Sequence, residues 1–134
     1  MIQRMTRQRT AITDLMKGTN AFKSAQEIHD LLANEGSSIG LATVYRNLQT
    51  MAESGLVDVI RPGDSETAYY RYCADDHHHH HLVCRRCGTT VELTTDILES
   101  WADKVAAEHG FTQTSHSLEV WGLCATCTAE LAQA

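Results

Sequence analysis

Residues 40–60 read Gly40-Leu-Ala-Thr-Val-Tyr45-Arg-Asn-Leu-Gln-Thr50-Met-Ala-Glu-Ser-Gly55-Leu-Val-Asp-Val-Ile60, a helical pattern that runs straight into a strand pattern. The helix spans Leu41 to Ser54, and Gly55 closes it as the first residue beyond the cap. Val44, Leu48 and Met51 share one face and are expected in a core. Ala42, Thr43, Tyr45, Arg46 and Gln49 share the other. That face is small, polar, aromatic and cationic, which suits a helix that reads base edges. Taken alone, an ordinary solvated face is the better account, since surface Tyr and Arg are common.

The flanks change that balance. Upstream, Thr10 to Lys17 forms a short helical stretch with Ile12, Leu15 and Met16 apolar, broken by Gly18-Thr-Asn. Ser24-Ala-Gln-Glu27 has the capping-box pattern, and Ile28, Leu31 and Leu32 continue it as a second helix. Gly36 stops that helix, and Ser37, Ser38 and Gly40 form a turn. Downstream, Leu56 to Ile60 and Thr67 to Tyr72 read as two strands joined by the turn Pro62-Gly63-Asp64-Ser65. Three helices followed by a β-hairpin make a winged helix, a helix-turn-helix variant.

Charge agrees with this division. The chain has 134 residues and a formal net charge of −6. Residues 1–72 hold eight Lys/Arg and eight Asp/Glu, so all of the excess acid lies in residues 73–134. Arg4, Arg7 and Arg9 precede the first acid, Asp14, and form a basic arm suited to phosphate. No run of 18 apolar residues exists, so no membrane-spanning helix is expected. The start has no apolar signal-peptide core. These features predict a cytoplasmic protein, in which thiols stay reduced.

The second half carries metal ligands. Cys84-Arg-Arg-Cys87 and Cys124-Ala-Thr-Cys127 offer four thiolates, the preferred set for a closed tetrahedral zinc site. A redox CxxC needs only one pair, and no thioredoxin-like pattern surrounds either. The 36 intervening residues call for a folded domain to bring the pairs together. Strands are expected from His80 to Cys84, from Thr90 to Leu93 and from Phe111 to Gly122. A helix capped by Asp96 is expected to run to His109, burying Leu98, Trp101, Ala102 and Val105. A short helix closes the chain.

Five histidines, His77 to His81, run directly into Leu82-Val83. Strand side chains alternate faces. His78 and His80 therefore point one way, and His77, His79 and His81 the other. One tract can feed two metal sites, each needing partners from elsewhere. The available partners are Cys73, Asp58, Glu99 and His116. Read singly, His116 is as well explained by packing, and Glu99 by its place in a helix's first turn.

Together these residues resemble the ferric uptake regulator superfamily, and within it the zinc-uptake branch. The resemblance covers nearly the whole chain. It is carried by Gly40-Leu-Ala-Thr-Val-Tyr45-Arg-Asn-Leu, by His77–His81 with the following Leu-Val-Cys-Arg-Arg-Cys-Gly, and by the second CxxC. It implies an α+β chain with a winged-helix DNA-binding domain over 1–72, a metal-binding hinge over 73–81 and a small α/β dimerisation domain over 82–134. It implies a homodimer that binds palindromic operator DNA when loaded with two or three zinc ions per subunit. Cys84, Cys87, Cys124 and Cys127 match the structural zinc site. Asp58, Cys73, His79 and His81 match the hinge regulatory site, and His78, His80, Glu99 and His116 a third site. The segment from Cys73 to His77 is one residue longer than the family's Cys-x-x-His. Arg9 matches the basic arm, and Tyr45 and Arg46, with Thr43 on the same face, match the recognition helix.

A thiolate among imidazoles and a carboxylate suits zinc better than the oxygen-rich sites of iron, manganese or peroxide sensors. The expected function is a zinc-responsive transcriptional repressor. The alternatives are another metal or peroxide sensor of the same superfamily, a zinc metalloenzyme, or a zinc store. An enzyme needs an open metal site with a base, for which only Glu99 or Glu119 is at hand. No HExxH motif is present, so no catalytic residue is assigned.

Overall fold

A computed structural model describes residues 2–63, 66–73 and 79–133, with side chains from residue 6 onward. His77, His78 and the turn residues Asp64 and Ser65 lie outside the described residues, as does the side chain of Arg4. The chain divides into two compact units, Met1–Asp76 and His77–Ala134.

The first unit is a winged helix. Its elements are α1 (Ile2–Lys17), β1 (Lys23–Ser24), α2 (Ala25–Asn34), α3 (Leu41–Glu53), β2 (Val57–Ile60) and β3 (Tyr69–Tyr72). Ile12, Met16, Ile28, Leu32, Val44, Leu48, Met51, Val57 and Tyr70 form its core. These are the stripes that helical periodicity predicts, now facing one another. Truncating a fully buried member such as Leu48 to Ala would cost about 2–5 kcal/mol. The capping box is present: Glu27 N donates to Ser24 Oγ at 3.1 Å, and Ser24 N to Glu27 Oε1 at 3.0 Å.

The end of α3 sets the entry to the wing. Gly55 has φ +80°, a left-handed conformation that side chains resist. This lets Gly55 N donate to Ala52 O at 3.1 Å and Leu56 N to Met51 O at 2.9 Å, closing the helix by a Schellman pattern. Leu56 is used in this closure, so the strand begins at Val57, one residue later than expected. β2 and β3 pair antiparallel, with Asp58 opposite Arg71 and Val59 opposite Tyr70.

Three further differences from the sequence expectation concern this unit, the first being that β3 begins at Tyr69 and not at Thr67. Helix α1 begins at Ile2 rather than Thr10. Its first turns carry no apolar stripe, but Gln, Arg and Met are good helix formers. The two-residue strand β1 pairs with β3 and was hidden in the approach to the α2 cap.

The second unit is a three-stranded sheet with two helices: β4 (His80–Cys84), β5 (Thr90–Leu93), α4 (Asp96–Glu108), β6 (Glu119–Gly122) and α5 (Ala125–Gln133). The strand order is β5-β4-β6, with β5 antiparallel and β6 parallel to β4. Three expectations are corrected. Thr95, not Asp96, occupies the cap position of α4, without a side-chain cap bond, and Asp96 is the first helical residue. The long strand Phe111–Gly122 shrinks to Glu119–Gly122, because only these residues find a partner on β4. The stripe of α4 is not buried: Trp101 is 61% exposed and Leu98, Ala102 and Val105 are half-covered. Among the described residues, the unit has one small sheet and no further element that covers that face. Among the described residues, no helix is long and apolar enough to cross a membrane.

Candidate metal centres and nucleic-acid face

The parallel pairing of β4 and β6 builds the cysteine cluster. Cys84 ends β4 opposite Gly122, which ends β6, and Arg85 N donates to Gly122 O at 2.8 Å. Both strands therefore deliver their CxxC to the same edge of the sheet. The first pair turns tightly, with Gly88 N donating to Cys84 O and Cys84 N to Thr89 O, both at 2.9 Å. All four sulfurs lie within 4.8 Å of one another, and none is in a disulfide. Cys87 and Cys124 Sγ are 3.8 Å apart. Zn–S bonds of about 2.3 Å in a tetrahedron set sulfurs about 3.8 Å apart, so the cage fits zinc.

The surroundings treat Cys84, Cys87 and Cys127 unequally. Backbone N–H groups, first that of Cys124 at 3.4 Å, hold the Cys84 thiol down at about 5. The Thr89 hydroxyl, 3.0 Å from Cys87 Sγ, lowers Cys87. Burial, reinforced by the neighbouring sulfurs, pushes Cys127 up to about 12. Arg86, inside the first pair, is held to Glu130 of α5 at 2.6 Å and so ties this turn to the closing helix.

The histidine strand separates two further sets. His80 Nε2 lies 2.8 Å from Glu99 Oε1, and His116 Nε2 lies 3.0 Å from Glu99 Oε2. The two imidazoles stack at 5.1 Å. His80, Glu99 and His116 thus converge, with His80 fully buried, while their expected companion His78 lies outside the described residues. On the other side, His79 meets His81 edge-on at 4.9 Å, and a ligand atom of His79 lies within 4.8 Å of one on Glu92. His81 stands opposite Glu92 on β5 and Glu119 on β6, its Nδ1 3.7 Å from Glu119 Oε1. Glu92 was not singled out from sequence. Pairing the two strands around the first CxxC would have found it. In the first unit, the Asp58 carboxylate and the buried Cys73 thiol also lie within 4.8 Å of each other.

Helix α3 presents the expected outer face. Ala42, Tyr45, Arg46 and Gln49 are exposed, Tyr45 by 45%, and Thr43 is half-buried. Arg46 Nη2 donates to Thr43 Oγ1 at 3.4 Å. An open groove of about 480 Å³ runs between α3 and the wing, lined by Ala42, Tyr45, Arg61 and Tyr70. Arg9 reaches α3 by donating from Nε to Asn47 Oδ1 at 3.1 Å.

The family model for the ferric uptake regulator family matches residues 2–121. The chain belongs to the ferric uptake regulator family. The zinc uptake regulation protein of Mycobacterium tuberculosis is 51% identical over 124 residues, covering 92% of this chain and 94% of that protein. The crystal structure of FurB from M. tuberculosis, a zinc uptake regulator, is similar at 52% identity and a TM-score of 0.55, with 92% and 95% of the two chains covered. A zinc uptake regulator complexed with zinc and DNA is similar at 29% identity and a TM-score of 0.70, with 93% and 83% covered. This family membership sets aside the metalloenzyme and storage readings: the chain is a member of a regulator family, not an enzyme.

Proposed function

We propose that this protein is a zinc-responsive transcriptional repressor whose zinc-loaded homodimer binds palindromic operators of zinc-homeostasis genes. The observation that carries the choice of metal is the Cys73 thiol beside the Asp58 carboxylate. A thiolate in a sensing site favours zinc over the harder iron(II) and manganese(II). The names of the similar proteins from M. tuberculosis point the same way.

In this reading Cys84, Cys87, Cys124 and Cys127 hold a structural zinc. Asp58 and Cys73 of the first unit join His79 and His81 of the second at the regulatory zinc, with Glu92 as a further carboxylate in reach of His79. His78, His80, Glu99 and His116 form a third site. Zinc, when bound, supplies a cross-link between ligands of different units. The chain's part is to keep each pair of ligands preset, so that ordering the units costs little once the pairs are joined. Zinc then shifts a population of domain arrangements, and zinc and operator strengthen each other's binding.

Thr43, Tyr45 and Arg46 read the major groove, and Arg9 contacts phosphate. The exposed face of α4 is the dimer surface, supported by the apolar hollow of about 490 Å³ lined by Trp101, Ala102, Val105 and Phe111. A DNA-binding repressor works in the cytoplasm. The test is binding of the full chain to a palindromic promoter fragment over buffered zinc, iron(II) and manganese(II). Tight binding with zinc alone is expected. Binding that ignores zinc, or follows iron(II), would overturn the reading.

A further inference from the structure

Helix α3 carries one buried polar side chain that base reading does not explain. Asn47 is only 9% exposed. At about 100° per residue it falls between the buried stripe (Val44, Leu48, Met51) and the outward side (Thr43, Thr50, Arg46). Both ends of its amide are used. Nδ2 donates to Thr43 O at 2.9 Å, which turns the amide oxygen away from its own helix. That oxygen accepts from Arg9 Nε at 3.1 Å, across 38 residues of chain.

Among the described residues, this is the one hydrogen bond that Arg9 makes. It engages Nε and leaves the Nη1/Nη2 edge unused, a flat pair of donors that matches a phosphate. Thr43 stands next to Asn47 on the helix and accepts from Arg46. Arg46 thus meets the Thr43 side chain, and Arg9 meets Asn47, one helical turn on, whose amide holds the Thr43 carbonyl.

The geometry points to Asn47 as a positioning residue for DNA binding. It holds Arg9 by Nε with the free guanidinium edge beside the recognition face, so α1 and α3 meet the duplex as one preset surface. The inference rests on the DNA-binding reading above and assigns its phosphate contact a fixed geometry. A flexible arm would instead lose side-chain freedom on every binding event.

The test uses the zinc-loaded full chain with Arg9→Ala, Asn47→Ala, Asn47→Leu and the Arg9→Ala/Asn47→Ala double variant. Asn47→Leu fills nearly the same volume without an acceptor and covers the case in which Asn47→Ala folds poorly. Affinity is measured by fluorescence anisotropy across salt concentrations, on a palindromic operator and on an unrelated duplex. Each Asn47 variant should weaken both duplexes by about the same factor as Arg9→Ala and flatten the log–log salt slope by about one. The double variant should be no weaker than Arg9→Ala. In the free protein, nitrogen-15 NMR should show the Arg9 Nε–H exchanging slowly with solvent, and fast in Asn47→Leu. A purely structural role would lower the melting temperature and leave the salt slope alone, which would overturn the inference. So would multiplying losses in the double variant, or an Arg9 Nε–H indifferent to Asn47→Leu. Wild-type protein that binds neither duplex at any zinc level would overturn the repressor reading itself, and the NMR arm tells the two failures apart.

Discussion

A thiol ligates zinc only after giving up its proton, and Cys84 and Cys127 start from opposite places. Cys84, held at about 5, is ionised at neutral pH, whereas Cys127, at about 12, is not. Zinc uptake should therefore release protons, and the affinity of this site should rise from pH 6 to pH 8 in competition with a chelator. A pH-independent affinity would contradict the assignment. The metal-free fold follows the linkage sign of each group. The depressed Cys84 favours folding at high pH, a gain lost as pH falls from its ordinary 9.0 through about 5. The raised Cys127 favours folding below 9.0, a gain lost as pH rises towards 12. Cys127→Ser should lose tightly held zinc and the dimer, checked by metal analysis and solution mass. At the DNA face, Tyr45→Ala should leave zinc content unchanged and weaken operator binding by about 1–3 kcal/mol if the ring makes one base contact. Unchanged affinity in a titration would remove Tyr45 from the reading face.

Elements show where sequence speaks clearly. Helix α3 was legible almost to the residue, because its buried stripe and closing glycine are local signals. Gly55→Ala should destabilise the first unit by about 1–2 kcal/mol, since nothing crowds the position and the left-handed backbone alone is strained. Thermal melting checks this, and Gly55→Asn should recover part of the loss. Around β4 the expected alternation has a geometric counterpart: His80 gathers with Glu99 and His116, whereas His79 gathers with Glu92 and meets His81 edge-on. His78→Ala and His79→Ala should accordingly differ, the first tuning the zinc response and the second abolishing it. Identical phenotypes in buffered-zinc DNA titrations would end the two-face argument. What stayed illegible was decided at a distance. Residues 111–118 have strand-like patches but form no strand, and Gln113 takes a positive φ of 54°. Asn47 carries no local signal of its burial, because its partner, Arg9, lies on another helix. Glu92 became visible as a neighbour of His79 only once strand register was fixed.

At the scale of the molecule, the exposed stripe of α4 is the one large misreading, since periodicity tells which residues seek cover and not who provides it. Trp101→Glu should give a monomer that retains the four-cysteine zinc and loses most operator affinity, measured by sedimentation and anisotropy. A Trp101→Glu dimer would place the interface elsewhere. Cys73→Ser should keep the fold, the dimer and the structural zinc, yet cease to respond to zinc in DNA binding. The parallel neighbours β4 and β6 have a further consequence, which concerns time. Thirty-four residues of chain separate them, so the cage cannot close until β6 has been made. Ribosomes add about 5–20 residues per second, so Cys87 waits about 2–8 seconds for Cys127. Through that interval the first pair of thiols has no second pair to close the cage with. The four-thiol cage is therefore among the last parts of the fold that can form, after the winged-helix segment and the histidine strand have been made.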